Sequence, residues 1–319
     1  MKKIVITVLV MTMLTILVAC GGQSESTSGN GSASNEEAPK SEEKKEELTP
    51  QQVITKSSEA MQDWPGMQYV VDGIQTINAS KGEQKQTIDQ KFTIDTKTTM
   101  DPITMHMTGN MTMQGQEVPV ENYYVDGTMY TKAPQDQWIA IEGMNLDQLQ
   151  AQSQGQNPSE TMEQFTKMLD ELSGEDKSSE FITMKEQDDL YVVELDLNEE
   201  ASSKVMDIVK EQAKGTMQQL EKMGISDVME NMKIKSMNQT FYIDRETFEQ
   251  KKMDQQMTME MSMNGANMTI DMDISMDIKG KVDEKVTVPK DVKKKAQVVS
   301  MEQLQQAQQQ SEQQAQSQQ

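Results

Sequence analysis

Residues 257–278, MTMEMSMNGANMTIDMDISMDI, decide the fold of this chain. Methionine or isoleucine occupies every second position on each side of Asn264-Gly265, and the positions between carry mainly threonine, serine, glutamate and aspartate. Side chains of a β-strand point alternately to opposite faces, so a period of two predicts half-buried strands. The stretch therefore predicts two long antiparallel strands with one apolar face and one acidic, solvated face.

The same alternation extends along the chain on both sides of this hairpin. Turn signals such as Asp126-Gly127 and Asp188-Asp189 separate the shorter alternating segments. The further predicted strands lie near residues 67–71, 92–94, 103–113, 123–130, 138–141, 181–185, 190–197 and 232–243.

Amphipathic helices are predicted before and between these strands. Thr49 is a good N-cap, Pro50 suits the first helical position, and Gln52 completes a capping box. Apolar residues at helical spacing predict two more helices, over 159–172 and 199–223. The fold class expected is α+β: a large curved antiparallel sheet, an open half-barrel, packed over two or three amphipathic helices.

The first twenty residues predict an exported lipoprotein. Two lysines precede an apolar stretch that is too short to span a bilayer, and Leu17-Val18-Ala19-Cys20 matches the lipobox at which a signal peptidase cuts. Cys20, the single cysteine, would carry a diacylglyceryl group, whose two acyl chains give stable attachment to the outer face of the cell membrane. The alternative is a plain transmembrane anchor that ends in a chance cysteine.

Composition divides the rest of the chain into four segments. A signal peptide is expected over 1–19, the lipidated cysteine with a disordered tether over 20–48, the folded domain over 49–299, and a glutamine-rich flexible tail over 300–319. Without the two lysines of the signal, 28 basic and 52 acidic residues leave a net charge of about −24. This acidity argues against a nucleic-acid partner, because phosphates require a basic surface.

Several segments together resemble a known family. The lipobox and tether precede a first helix that opens with Thr49-Pro50, and 101–107, 124–130 and 241–247 follow as DPITMHM, YVDGTMY and FYIDRET. This pattern resembles an uncharacterised family of Gram-positive surface lipoproteins, known as a domain of unknown function. Its architecture is similar to the lipoprotein-carrier (LolA-like) and mycobacterial lipid-binding lipoprotein folds. The resemblance implies a curved sheet around helices with an apolar cavity, and it transfers no ligand-contacting residue.

The main functional hypothesis is the binding of a lipid or another hydrophobic ligand. Flexible thioethers can repack around varied apolar partners, and seven methionines are expected to line the cavity. They are Met105, Met107, Met111, Met259, Met261, Met272 and Met276. The competing interpretation is that these side chains simply fill a core, and that the protein is a non-catalytic scaffold in the cell envelope with an unidentified protein partner.

Other chemistries have less support in the sequence. His106 lies between two methionines that could bind Cu(I), but in a strand it faces away from both. Asp271, Asp273 and Asp277 share one strand face and would attract calcium only weakly, because no loop has EF-hand spacing. One histidine, one cysteine and no nucleophile or phosphate-loop motif argue against an enzyme. No cofactor or metal is expected.

Overall fold

The computed structural model describes residues 48–82, 84–113, 115–133, 136–144, 181–212, 232–263 and 266–300. Within them the chain forms twelve strands and three helices. The strands are β1 Gly66–Lys81, β2 Gln84–Met100, β3 Ile103–Met113, β4 Gln116–Val125, β5 Thr128–Ala133, β6 Gln137–Glu142, β7 Ile182–Gln187, β8 Leu190–Leu197, β9 Lys233–Asp244, β10 Gln250–Met263, β11 Ala266–Lys281 and β12 Ala296–Ser300. The helices are α1 Pro50–Met61, α2 Glu199–Gln212 and α3 Lys290–Lys295.

All twelve strands belong to one large sheet. Its order is β12-β6-β5-β4-β3-β2-β1-β11-β10-β9-β8-β7, and within the described residues it is open, with β12 and β7 at its edges. Neighbouring strands are antiparallel except for β12 and β6, which are parallel. The expectation of a wholly antiparallel sheet is therefore wrong at this edge. Parallel pairing requires a crossover connection, and residues 282–295, which include α3, separate β11 from β12.

The predicted hairpin has the expected register. Met257 pairs with Met272 and Met261 with Met268, so the apolar positions of β10 and β11 share one face of the sheet. On the other side of β11, Ile270 pairs with Ile77 of β1. We call the face that carries these residues the inner face, and the opposite face the outer face. The Asn264-Gly265 turn lies outside the described residues.

Two helices pack on the inner face. The predicted capping box of α1 is present: the Gln52 amide N–H donates to Thr49 Oγ1 at 3.2 Å, and the Thr49 amide N–H donates to Gln52 Oε1 at 2.8 Å. Val53 of α1 and Ala201 of α2 are both 0% exposed. Both belong to the largest apolar cluster, together with residues of β1 and β7–β11. Burial of such a valine stabilises the fold by about 1.5–3 kcal/mol.

A smaller apolar cluster lies on the outer face near β12. Tyr123 and Trp138 pack there against Val288 and Val292. The segment 282–289, which we call the strap, leads across this face into α3. The Val286 amide N–H of the strap donates to Thr104 Oγ1 at 3.0 Å. The strap and α3 thus complete this outer-face cluster and connect β11 to the edge strand β12.

The predicted turns are also present. Asp126 and Gly127 have φ angles of 51° and 72°, as a tight hairpin turn requires. Asp188, which has a φ of 52°, begins the connection from β7 to β8. After β9, the Asp244 carboxylate accepts hydrogen bonds from the backbone amides of Glu246 and Thr247 at 3.0 and 2.9 Å, and these bonds lower the pKa of Asp244.

Some sequence expectations fall on residues that are not described. These are the signal peptide, Cys20, the tether, the helix over 159–172, the second half of the helix over 199–223, and the tail after Ser300. Among the described residues, no helix is long and apolar enough to span a membrane.

Candidate functional site: the inner face and its methionines

Most of the seven methionines lie in or beside the apolar clusters of the inner face. Met259 and Met261 are 5% and 4% exposed and belong to the largest cluster. Met272 is half-buried and packs both against that cluster and against a second one, formed by Phe92, Ile94 and Ile274. Met272 therefore joins the two clusters.

The other four methionines are spread over β3 and β11. Met107 and Met111 are half-buried and pack against the second cluster. Met276 is 4% exposed and pairs with Met253 of β10. Met105 is half-buried and belongs to none of the clusters among the described residues, so it lies apart from the group. The sequence reasoning missed Met257, which is 5% exposed and belongs to the largest cluster.

Buried glutamines interrupt the apolar inner face. Gln75, Gln90 and Gln255 are 4%, 5% and 3% exposed. Gln75 of β1 pairs with Gln90 of β2 on one side and with Met272 of β11 on the other. The amide of Gln255 contacts Met257 Sδ at 3.9 Å, whereas Gln75 Oε1 is buried and has no hydrogen-bond partner within the described part of the chain. In the sequence, these buried glutamines could have been recognised as polar residues at strand positions that the alternation predicts to be apolar.

Next to these glutamines, strands β1 and β2 make a close contact between Gly73 and the Phe92 ring. An ideal Cβ atom on Gly73 of β1 would lie 2.2 Å from Phe92 Cζ of β2 and 2.8 Å from both Cε atoms. The Phe92 ring therefore lies directly over Gly73, which pairs with it in the sheet. Only glycine leaves room for this arrangement.

The outer face carries carboxylates bound by hydroxyl groups of neighbouring strands. Thr76 Oγ1 donates to Asp89 at 2.9 Å, and Thr258 Oγ1 donates to Asp271 at 2.8 Å. Asp273 accepts from the amide of Gln256 at 3.3 Å, while Asp277 lies 3.7 Å from the Lys279 ammonium. The acidic residues thus contact polar neighbours on the sheet surface, as expected for a solvated face.

Two open depressions of about 380 and 370 Å³ lie in the described structure. The larger is lined by Lys97, His106, Tyr123 and strap residues. The other is lined mainly by outer-face polar groups around Ile74, with Met257 and Met272 also at its border. Neither corresponds to a cavity lined by the seven methionines. No group of three or more histidine, cysteine, aspartate or glutamate side chains in the described residues could hold a metal ion.

His106 lies on the outer face, opposite to Met105 and Met107. Its ring stacks on Tyr123 with centroids 4.3 Å apart and an interplanar angle of 6°. Its Nε2 is buried and has no partner within the described part of the chain, and desolvation lowers the pKa of the imidazole. Because the two methionines face the other side of the sheet, the three side chains do not converge as a Cu(I) site requires.

Tyr123 occupies a buried and negatively charged environment beside the histidine. Its hydroxyl donates to Glu121 Oε1 at 3.1 Å. Burial, together with the Glu121 carboxylate, raises the pKa of Tyr123 to about 12. The ring therefore stays neutral over the physiological range and serves as a packing surface for His106.

These features define a protein with a large open sheet, an apolar inner face under helices, and a polar, acidic outer face. The chain belongs to the family of unknown function DUF6612, whose model matches residues 49–297. The expected membership in a family of unknown function is thus confirmed. None of the curated proteins compared matches the chain.

Several solved structures are similar to the chain. One is lipovitellin, described by its lipid–protein interactions, with 9% identity, a TM-score of 0.26, and coverage of 70% of this chain but 26% of that chain. A LolA superfamily protein from Nitrosomonas europaea has 9% identity and a TM-score of 0.19, over 77% of this chain and 97% of that one. A putative outer membrane lipoprotein-sorting protein domain from Vibrio parahaemolyticus has 6% identity and a TM-score of 0.23, over 73% and 94%. At such TM-scores these similarities carry no argument for a ligand.

Proposed function

We propose that this protein is an extracellular lipoprotein, anchored through Cys20 to the outer face of the cell membrane, that binds a hydrophobic ligand against its methionine-rich inner face. It is not an enzyme. The sheet curves as an open half-barrel, and the acyl chain or other apolar ligand lies between the sheet and its helices.

The observation that carries the proposal is the composition of the buried inner face. Met257, Met259 and Met261 are each 4–5% exposed and lie side by side with isoleucines of β1 and β11. Thioether side chains are unbranched and flexible, so they can move aside and repack around an inserted chain. Because these side chains are almost fully buried, the ligand enters by displacing them.

The competing function is a scaffold with a filled core that binds a protein partner. The low exposure of the same methionines favours it, because tightly packed side chains leave no vacant volume. The two functions differ in one measurable property: a scaffold takes up no apolar molecule into its interior.

A fluorescence titration separates these functions. The mature chain with Cys20→Ser, which lacks the site of lipidation, is titrated with phenylnaphthylamine, whose emission rises in apolar surroundings. We expect saturable binding. Met272→Trp, placed where the two inner clusters meet, should weaken the affinity about tenfold, because the larger ring takes up space that the ligand needs.

The matched control is Ile74→Trp, which adds the same ring on the outer face at a side chain that is 49% exposed. It should leave the affinity unchanged, and circular dichroism checks that both variants fold. Absence of saturable binding to the parent chain would reject hydrophobic-ligand binding and favour the scaffold, whereas equal loss in both variants would reject the inner face as the binding site.

A further inference from the structure

The buried amide pair Gln75–Gln90 bears on the chemistry of the ligand, and this inference rests on the proposed function. Both residues lie at inner-face positions of adjacent strands and are directly paired. They are 4% and 5% exposed, so water reaches neither side chain readily. Amides at this depth are uncommon among methionines and isoleucines, because burial of a polar group is unfavourable unless it is hydrogen-bonded.

Gln75 Oε1 is the atom that points to a ligand. It is buried and lacks a hydrogen-bond partner in the described part of the chain. Buried polar atoms in folded proteins nearly always have a partner, and an exception calls for an explanation, of which a bound group is one. A carbonyl oxygen accepts hydrogen bonds, so the group that completes this site must donate one.

The surroundings of Gln75 are apolar on both sides along the strand. Ile77, two residues further on, belongs to the largest cluster, while Phe92 and Ile274 of the second cluster flank Gly73, two residues before. Met272, the residue opposite Gln75 on β11, packs against both clusters. A molecule with its polar group at Gln75 would therefore have flexible apolar surface on either side for hydrocarbon chains.

The uncharged side chains of the inner face also limit the charge that the ligand can carry. Inner positions of β1 from 69 to 77, β2 from 88 to 96, β10 from 253 to 261 and β11 from 268 to 278 carry no charged side chain. A carboxylate or phosphate placed there would have no cation to compensate it, and burial of an unpaired charge is strongly unfavourable.

We propose that the ligand is a neutral acyl amphiphile with a hydroxyl or amide donor between or beside its hydrocarbon chains. The donor bonds to Gln75 Oε1, and the chains pack on the thioethers of the two clusters. Diacylglycerol has this chemistry, with one free hydroxyl group and two acyl chains.

Displacement of bound phenylnaphthylamine tests the proposal on the mature Cys20→Ser chain. The competitors are dioctanoylglycerol, its acetylated analogue, in which an acetyl ester replaces the hydroxyl donor, and dioctanoyl phosphatidate, which is anionic. We expect dioctanoylglycerol to bind about tenfold more tightly than the acetylated analogue, as one buried hydrogen bond predicts. Phosphatidate should compete least.

Two variants test whether Gln75 is the residue that causes the preference for the lipid with a free hydroxyl group. Gln75→Met removes the acceptor with little change of volume and should bring the preference for the hydroxyl close to unity. Gln255→Met is the matched control, because Gln255 is equally buried on the inner face but its amide already contacts Met257 Sδ. This variant should retain the preference.

The outcomes are distinct. Equal binding of the two neutral lipids by the parent chain, or a preference that survives in Gln75→Met, overturns this inference and leaves hydrophobic-ligand binding intact. Failure of the probe and of every lipid to bind the parent chain overturns the proposed function as well.

Discussion

The contact between Gly73 and Phe92 gives the sharpest test of the inner-face geometry. In Gly73→Ala the new Cβ would lie 2.2 Å from Phe92 Cζ and 2.8 Å from both Cε atoms, which is closer than carbon atoms approach. The Phe92 ring must move out of its cluster with Ile94 and Ile274. Overfilling of this kind costs about 1–3 kcal/mol, so we expect the free energy of unfolding to fall by about 2 kcal/mol.

Phe92→Leu supplies the partner substitution for a double-mutant cycle. Leucine has no ε or ζ carbon, so all three atoms that clash with the new Cβ disappear, at a cost of about 1 kcal/mol for the altered packing. On this background Gly73→Ala should have no clash and should gain about 0.5–1 kcal/mol, because alanine loses less backbone entropy than glycine in a strand. The double variant should therefore be more stable than Gly73→Ala alone.

Urea denaturation followed by circular dichroism measures the cycle. The two single effects sum to a destabilisation of about 3 kcal/mol, whereas the double variant should lose about 0.5 kcal/mol or less, which gives a coupling energy of about 2.5–3 kcal/mol. Additive effects, with a coupling energy below about 0.5 kcal/mol, would show that Phe92 does not lie over Gly73 and would refute the register of β1 and β2.

Three other substitutions test separate parts of the molecule. Thr49→Ala removes the hydrogen bond from the Gln52 amide to Thr49 Oγ1 and should destabilise the fold by about 1 kcal/mol in urea denaturation, and an unchanged midpoint would contradict the role of the cap. His106 lines a depression together with the strap, and burial lowers the pKa of its imidazole. The neutral ring therefore contributes its full stability above about pH 6.5, its ordinary pKa, and this contribution is lost as the pH falls through the lower folded pKa. Hydrogen exchange of the strap should rise on acidification in the parent chain and much less in His106→Phe, and equal pH dependence would contradict this reasoning. Cys20→Ala should abolish labelling with radioactive palmitate in cells and release the protein to the medium, and retained label would contradict the anchor.

Long regular elements could be predicted from the sequence because each carries its own pattern. The alternation of β10 and β11 determines which face is buried, since a shift by one residue would expose every methionine. The first helix was recognisable from Thr49, Pro50 and Gln52, whose side chains and ring act locally. Such features depend on neighbours in sequence and not on distant contacts.

The strap, α3 and β12 could not be predicted in the same way. The two regular elements have six and five residues, and α3 buries one valine, Val292, so neither has a clear apolar period. Their positions depend on Tyr123 and Trp138, which lie more than 150 residues earlier in the sequence. The parallel pairing of β12 with β6 follows from this tertiary contact.

The candidate site was only partly predictable for a related reason. Periodicity places Met259, Met261 and Met272 inside, but it does not report which of them meet across strands. Gly73 and Gln75 interrupt the apolar period of β1, so the strand was predicted only near 67–71, although it continues to Lys81. Gln75 weakens the apolar pattern by which β1 is recognised, yet its buried amide is the group that bears most on the chemistry of the proposed ligand.

The choice of methionine over leucine and phenylalanine relates the fold to the proposed function. The chain has 30 methionines and 5 phenylalanines, although branched or aromatic side chains would hold a static core in better defined rotamers. A scaffold with a filled core has no physical need for so much flexibility. An interior that must open for an acyl chain, and close again over Gln75 when the chain leaves, benefits from side chains that change rotamer at little cost. The same property would allow a tightly packed interior to admit a ligand, as the proposed function requires.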